Sequence, residues 1–452
     1  MPGMGMERAL YSELFGALRL ASCRLARARD ICRRHDDPMS LSTQDLDRQQ
    51  SPKARICMPT MRSLSREAFQ SALYEAQDVL AETADVDLID LQAGPGFRFR
   101  DRWQRRLLFR GVSPSLASMN PGLQRARLTQ DYDLFIAVCQ NLWDLLYINA
   151  IDGWKERCKI SACWLGEIWA ADIPGCRDLL RGLRRFDHVF VNSQGTVGLL
   201  SDVLGRQCHL LPTGIDTLRF SPFPDPPDRS IDVYSIGRRW EGVHRVLLRA
   251  VAEGQLFYIY DSYLGMAKME LTDYRQHRDL FANMAKRSKY FVVSPGKMNR
   301  PEETRGQVEI GYRYFEGAAA GTVMIGQTVD CEAFRELFPW PDAVVEMRPD
   351  GSDALDVLAD LESHPTRVSS ISRRNATESL LRHDWIHRWK RLFQLSGVEP
   401  SPGMTAREEH LKGLAEAALH TAEVGRWTTC GPPPCALPPT RAATVGTKVR
   451  DG

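Results

Sequence analysis

The sequence lacks a long apolar run and an export signal. None of its 452 residues belongs to an apolar stretch long enough to span a bilayer, and no apolar core followed by a small-residue cleavage site is visible near the N-terminus. We therefore predict a cytoplasmic protein and leave open a peripheral contact with a membrane surface.

Paired cysteines are also missing. The chain has 11 Cys but no CxxC pair, since Cys158 and Cys163 are separated by four residues. Others, such as Cys57 and Cys139, stand inside apolar strands. This distribution favours reduced, buried thiols over a disulfide framework or a zinc site, so we expect no metal centre.

Charge of one sign is not in excess. The formal net charge is +2, and nothing in that total requires a nucleic-acid partner. One local basic stretch runs from Arg98 to Arg110. It could bind phosphates or lipid headgroups, but a solvated helical face is the favoured interpretation.

The length indicates two folded domains with appendages. Short buried strands alternate with helices from Ala54 onwards, which predicts parallel βαβ units. A Pro-rich segment from Ser221 to Pro227 is typical of a linker, and the alternation restarts after it. The predicted parts are a leader (1–53), an N-terminal α/β domain (54–220), a C-terminal α/β domain (221–396) and a largely disordered extension (397–452). The leader could form an amphipathic membrane anchor, although a segment without a role is preferred.

The segment from Gly306 to Gly326 carries the strongest chemical signal. It predicts a loop, a helix rich in small residues and a buried strand. Gly311 and Arg313 stand at the helix start, where backbone N–H groups and the helix dipole favour phosphate. Glu316 follows one to two turns later and could accept hydroxyls. A Gly/Ala-rich helix packed on a strand is an equally good interpretation of this segment alone.

A second motif occupies the entrance to the linker. Leu211 to Asp216 reads LPTGID, Phe220 to Pro222 follows, and Val191 to Ser193 stands upstream. In this order and spacing the chain resembles the group-1 glycosyltransferases, that is, glycosyltransferase family 4 and its relatives. The resemblance implies the GT-B fold, in which two doubly wound Rossmann-like domains face a central cleft.

The same resemblance implies a donor site in the second domain. A strand ending in Gly237 and Arg238 stands where family members face the donor diphosphate, and Arg238 would neutralise the leaving nucleotide. The Lys that usually follows is missing, and His244 or Lys297 could substitute. Catalytic or substrate contacts are also expected from neighbouring positions, namely Glu309, Glu316, Gly311, Tyr312, Arg313, Gly321 and Thr322.

Glu316 matches the second Glu of the Glu-x7-Glu motif, which holds the nucleotide ribose in the family. Val308 occupies the position of the first Glu, and Glu309 lies one residue later. The residue pattern around Arg313, RYFEGAAAG, resembles that of a branch of spore-maturation-type glycosyltransferases. In the first domain, Asn141 and Glu167 follow strands and are substrate-binding candidates by location. Asp144 fits better as a carboxylate at a helix N-terminus.

Two further patterns have structural explanations that we prefer. His383 and His387 are spaced for one helical face and could bind metal, but the adjoining aromatics favour a packed helix. The pairs Asp85/Asp87 and Asp131/Asp133 resemble the DxD of metal-dependent transferases. Both precede strands, which favours capping or turn roles.

The sequence therefore predicts a hexosyltransferase-type enzyme that moves a sugar from a nucleotide-diphosphate donor to an acceptor hydroxyl. The resemblance implies retention of configuration, no metal and no cofactor other than the donor substrate. The acceptor could be a glycan, a lipid or a small molecule. The alternatives are a non-catalytic GT-B-like protein that binds nucleotide sugars or glycans, and a dinucleotide-dependent oxidoreductase. The latter is disfavoured because no GxGxxG follows the first strand.

Overall fold

The computed structural model describes residues 54–261 and 270–420. The predicted leader and the tail from Cys430 lie outside the described residues. Within the described ranges, no helix combines the length and the apolar character that crossing a bilayer requires.

The first sheet has six parallel strands in the order β2-β1-β4-β6-β7-β8. Their bounds are β1 Arg55–Thr60, β2 Asp85–Asp90, β4 Tyr132–Cys139, β6 Cys158–Leu165, β7 His188–Val191 and β8 His209–Leu210. A separate two-stranded pair joins β3 (Ala126–Arg127) to β5 (Ile151–Asp152). The sequence pattern did not predict this small pair.

Helices connect the strands of the first sheet. They are α1 Ser71–Thr83, α2 Phe97–Phe109, α3 Leu145–Ile148, α4 Trp154–Arg157, α5 Arg177–Leu183, α6 Gln194–Leu204 and α7 Thr217–Phe220. Short 3-10 turns cover Ala68–Gln70, Pro114–Ser118, Leu142–Asp144 and Ala170–Cys176.

The first sheet is buried on both faces because alternate residues of each strand enter different cores. Ile56 and Leu134 belong to one core, whereas their neighbours Cys57 and Phe135 belong to the other. Side chains of a strand point alternately to the two faces, so a strand covered on both sides reads as a continuous apolar run. This explains why the central strands could be located from the sequence as short apolar runs.

The second sheet has five parallel strands in the order β10-β9-β11-β12-β13. Their bounds are β9 Ile231–Ser235, β10 Tyr258–Tyr260, β11 Ser288–Val293, β12 Val323–Gly326 and β13 Val345–Glu346. The accompanying helices are α8 Glu241–Ala252, α9 Tyr274–Lys286, α10 Pro301–Thr304, α11 Tyr312–Ala319, α12 Glu332–Leu337, α13 Ala354–Ser363, α14 Pro365–Arg382, α15 Trp385–Leu395 and α16 Pro402–His420.

Both faces of the second sheet are covered as well. Phe291 and Val293 of β11 enter one core, and Tyr290 and Val292 enter the other. The predicted fold class is thereby confirmed: the chain is an α/β protein built from two doubly wound parallel sheets.

The last helices return to the first sheet. Trp385 packs edge-on against Trp164 of β6 with 5.7 Å between ring centroids, and the Trp389 indole donates a hydrogen bond to the Ala76 carbonyl of α1 (3.0 Å). Met404 of α16 joins the same core. The predicted boundary at residue 396 groups α15 with the second sheet, whereas the structure packs it on the first. The extension predicted to be largely disordered also contains α16, whose apolar side chains explain its order.

Candidate functional site

Strand β9 of the second sheet is followed by a tight turn at Gly237. This residue has a φ of 82°, a left-handed conformation that glycine adopts without steric cost. Its N–H donates to Asp261 Oδ2 at 2.9 Å, which ties the end of β9 to the end of β10. Gly237 and Arg238 are both exposed at this edge. The turn therefore presents backbone and a cation where ligands of doubly wound sheets bind.

Arg313 reaches the same turn from the start of α11. Its Nε donates to the Ile236 carbonyl at 3.1 Å, and a Cβ built on Gly237 would lie 3.4 Å from Arg313 Nη2. The guanidinium also lies over the Phe281 ring, 4.9 Å from the centroid. These contacts place the positive charge directly beside the glycine turn.

The N-terminus of α11 lies next to the Arg313 side chain, which belongs to the first turn of this helix. Gly311 is the N-cap residue, and no side chain caps the first N–H groups of the helix. A Cβ on Gly311 would stand 3.0 Å from the Ser294 carbonyl, so glycine permits the close approach of α11 to the end of β11. Uncapped N–H groups beside an arginine form an environment suited to an anion.

Two further cations flank the edge. Arg238 Nη1 donates to Asn299 Oδ1 at 3.0 Å. Lys297 has a φ of 50°, and its Nζ lies 2.8 Å from Glu167 Oε1 and 3.0 Å from Glu303 Oε2. Burial opposes the charge, but these carboxylates raise the pKa of Lys297 above its usual value. The lysine is therefore charged and joins the two sheets through Glu167.

The Glu316 side chain has partners inside the protein. It is buried, with Oε1 accepting from Arg278 Nη1 at 2.5 Å and the other oxygen paired with Arg313. These contacts hold Arg313 in place. The contact with a nucleotide ribose expected of Glu316 stays a prediction.

Glu309 also has partners inside the protein, and its expected catalytic role stays a prediction. Its carboxylate accepts hydrogen bonds from the N–H groups of Gln194 (3.0 Å) and Gly195 (2.8 Å), the first residues of α6. Gln307 Nε2 supplies a third bond at 2.6 Å. Burial raises the pKa of Glu309. Glu309 thus caps a helix of the first sheet, because that helix start has no side-chain cap of its own.

Gly321 and Thr322 lie just beyond the C-terminal end of α11, about 12 Å along the helix axis from Arg313. The Gly321 carbonyl accepts from buried Arg229 at 2.6 Å, and the Thr322 hydroxyl donates to the Gly317 carbonyl at 2.9 Å. The substrate contacts expected of both residues stay predictions. Tyr312 lies beside Thr213 near the linker, and burial raises the pKa of its phenol.

The candidates in the first sheet separate into two kinds. Glu167 is half-exposed, pairs with Lys297 and accepts from the Trp169 indole at 3.2 Å, so it lies where the two sheets contact each other. The Asn141 side chain accepts from the Trp143 N–H at 2.9 Å and caps a short helix. Asp144 is buried and accepts from the Gln140 N–H at 2.8 Å, which agrees with the preferred structural role.

The protonation of Asp144 makes stability depend on pH. Burial raises its pKa to about 6, although hydrogen bonds from Asn141 and Gln140 oppose the shift. The folded protein thus holds this proton more tightly than the unfolded chain. The stabilisation is complete below about pH 4 and is lost as pH rises through about 6.

Asp144→Asn removes this dependence. Relative to the wild type, its free energy of unfolding should rise by about 2–3 kcal/mol between about pH 4 and about pH 8. Urea unfolding at both pH values measures this difference. Asp225→Asn, at an exposed carboxylate, serves as the control and should shift equally at both. An Asp144→Asn difference that is the same at both pH values contradicts the assignment.

Several site residues carried no recognisable sequence signal. Asp261 anchors the glycine turn, Asn299 holds Arg238, and Arg278 holds Glu316. The position of Asp261 directly after β10 is the one clue that could have found it. Arg278 lies within a helix that has no motif.

The two preferred structural interpretations are supported by contacts. His383 is fully buried against the rings of Phe315 and Phe338, with centroid distances of 5.1 Å and 4.7 Å. Asp87 accepts from the Tyr132 hydroxyl at 2.9 Å, and Asp133 accepts from the Arg55 N–H at 2.9 Å. These carboxylates tie strand starts together.

One family model matches the part of the chain that contains this site. Residues 229–394 match the family model described as glycosyl transferase-like. The matched domain contains the whole second sheet, the Gly237 turn and α11. No curated protein sequence matches the chain.

Three solved structures are similar to the chain at low identity. An α-glucosyltransferase in complex with UDP and a 13-mer DNA containing a HMU base is 12% identical, with a TM-score of 0.43 over 76% of this chain and 100% of that one. Anabaena HepE in complex with UDP-glucose is 13% identical, with a TM-score of 0.45 over 76% and 100%. A UDP-N-acetylglucosamine 2-epimerase is 10% identical, with a TM-score of 0.41 over 77% and 99%.

Proposed function

We propose that the chain is a glycosyltransferase that moves a sugar from a nucleotide-diphosphate donor to an acceptor hydroxyl. The observation that carries the proposal is the meeting of Arg313, the Gly237 turn and the uncapped start of α11 at one edge of the second sheet. That edge lies within the glycosyl transferase-like match.

The reaction breaks the bond between the anomeric carbon and the donor phosphate oxygen and forms a bond to the acceptor oxygen. Negative charge grows on the departing diphosphate while positive charge grows on the sugar. Arg313, Arg238 and the N–H groups of α11 meet the departing charge in fixed positions, so no group must reorient during the reaction. The proton released by the acceptor leaves with the nucleotide or a nearby base.

Residues of the first sheet contact the segment next to this edge. Lys297 is bound to Glu167, and Gln307 Oε1 accepts from the Ala170 N–H at 2.8 Å. Trp169 packs close to Gly296, 3.7 Å from a Cβ built there. Closure of the two domains over a bound donor would exclude water and favour transfer over hydrolysis.

The direct test measures transfer and hydrolysis with a panel of UDP-, GDP- and ADP-sugars, beside calorimetric binding of the matching nucleotides. We expect one nucleotide to bind and its sugar to be released or transferred. A chain that binds none of the nucleotides contradicts the proposal. The anomeric configuration of the product, read by NMR, tests the retention that the family resemblance implies. The spore-maturation-type branch and the hexosyl group stay predictions.

A second function is favoured by a specific observation. Glu309 and Glu316, the two carboxylates expected at the sugar, are both committed to internal hydrogen bonds. A protein that binds a nucleotide sugar or glycan without transferring it needs no free carboxylate there. Tight nucleotide binding without turnover across the donor panel identifies this alternative.

Metal independence is a separate prediction. The described residues contain no cluster of three His, Cys, Asp or Glu side chains arranged to hold an ion. Because arginines and helix N–H groups supply the positive charge, we expect excess EDTA to leave the transfer rate unchanged within about twofold. Loss of activity in EDTA that added Mg²⁺ or Mn²⁺ restores contradicts this expectation.

A further inference from the structure

Helix α2 presents an outward face that the proposed reaction does not use. Gln104 and Leu108 turn inwards and are buried, whereas the side chains of Phe99, Trp103 and Phe109 are exposed. Phe99 is 68% exposed and Phe109 is 82% exposed. Aromatic side chains of this size normally find a partner, so a group of them on one helix marks an interaction surface.

The same face carries positive charge without compensation. Four exposed arginines lie on this side, and no acidic side chain within the described ranges pairs with any of them: Arg98, Arg102, Arg106 and Arg110. Arg100 is exposed too, but its stem packs against Gly122. The one acid of the helix, Asp101, is bound instead to Arg105 on the inward side at 2.9 Å. The outward face is therefore cationic along its whole length.

The first residues after the helix add one more apolar group, since Val112 is 61% exposed. The α2 patch, defined as the exposed side chains of residues 98–112, thus mixes large apolar groups with arginines. A solvated helix carries arginines alone, and a phosphate-binding face has no use for Phe99 and Phe109.

We propose that the α2 patch docks on the surface of an anionic phospholipid bilayer. Aromatic and aliphatic side chains enter the boundary between headgroups and acyl chains, and the arginines meet the lipid phosphates. The charge of the patch is complementary to such a surface. Within the described residues no helix spans a bilayer, so this docking is peripheral.

The position of the patch gives the docking a consequence. Strand β2 is at the edge of the first sheet, and the chain passes from its carboxyl end directly into α2. The carboxyl ends of the parallel strands share one edge, where Glu167 after β6 pairs with Lys297. Docking through α2 therefore holds this edge of the first sheet near the bilayer. The docking itself does not depend on the proposed transfer.

The test uses the full chain in co-sedimentation with vesicles of phosphatidylcholine alone and of phosphatidylcholine with phosphatidylglycerol. We expect binding to the anionic vesicles only. The triple variant Arg98→Gln/Arg102→Gln/Arg106→Gln should lower the partition coefficient about a hundredfold, at about fivefold for each arginine. The variant Phe99→Ser/Trp103→Ser/Phe109→Ser should lower it about tenfold or more at unchanged charge.

A matched control removes three exposed arginines elsewhere, in Arg245→Gln/Arg249→Gln/Arg335→Gln, and should lower binding far less. Circular dichroism confirms that each variant is folded. Equal losses in the control and the α2 variants overturn the proposal, as does vesicle binding that neither α2 variant weakens, which would assign it to residues 1–53. Duplex or single-stranded DNA that binds more tightly than anionic vesicles assigns the patch to nucleic acid and also overturns it.

Discussion

Arg313→Ala is expected to lower kcat/KM for sugar transfer about 10²–10³-fold. The guanidinium is held beside the Gly237 turn and is the charge best placed to meet the departing diphosphate. If it acts mainly in the transition state, kcat falls together with kcat/KM. Steady-state kinetics with the donor identified from the nucleotide panel measure both constants.

Two further variants test whether the effect depends on the shape of the arginine side chain and on its position. Arg313→Lys keeps the charge but loses the fork of donors, so it should recover only part of the rate. Arg335→Ala removes an exposed arginine of α12 that pairs with Asp330, and it should act like the wild type. Because Arg313 also pairs with Glu316, the melting temperature of each variant is measured beside its activity. A folded Arg313→Ala protein with wild-type kinetics would remove the basis of the donor site.

Arg278→Met is expected to lower the free energy of unfolding by about 3–5 kcal/mol. Arg278 is buried between two buried carboxylates, with Nε 2.8 Å from Glu75 Oε2 and Nη1 2.5 Å from Glu316 Oε1. Removing the central cation leaves two negative charges without their shared partner in a region that excludes water. Urea unfolding measures the change.

Helix α9 supplies the matched control three residues away. Arg275 pairs with Asp78 of α1 at 3.0 Å, but its side chain is 59% exposed. Arg275→Met should therefore cost less than about 1 kcal/mol, because solvent screens the charge of this arginine and the buried Asp78 keeps Arg62 and Tyr274 as partners. If the two variants lower the free energy of unfolding equally, the buried pairing of Arg278 with Glu75 and Glu316 stabilises the fold no more than an ion pair whose arginine is exposed.

Local sequence patterns were sufficient to locate the strands of both sheets. The central strands are apolar on both faces, as Ile56 and Cys57 illustrate, whereas the edge strand β2 alternates acidic and apolar residues. Gly237 and Arg313 could be placed together because the carboxyl ends of parallel strands share one edge. That geometry is independent of the particular side chains around it.

The roles of the two glutamates could not be predicted in the same way. Glu309 caps Gln194, which lies 115 positions earlier, and Arg278 joins Glu316 to Glu75, which lies 203 positions before the arginine. Pairings at such separations leave no periodicity in a single sequence. The family motif drew attention to Glu316, but only the fold shows that its oxygens already have partners.

The return of α15 and α16 to the first sheet bears on how the protein is made. Ile56 and Leu134 share a core with Trp385 and Met404, so the sheet assembled from the earliest strands is covered by some of the latest residues. During synthesis, α1 can cover part of this face early, but the rest stays open until residue 404 has been made. A chain released before that point would expose apolar surface, and we expect a fragment that ends at residue 220 to aggregate.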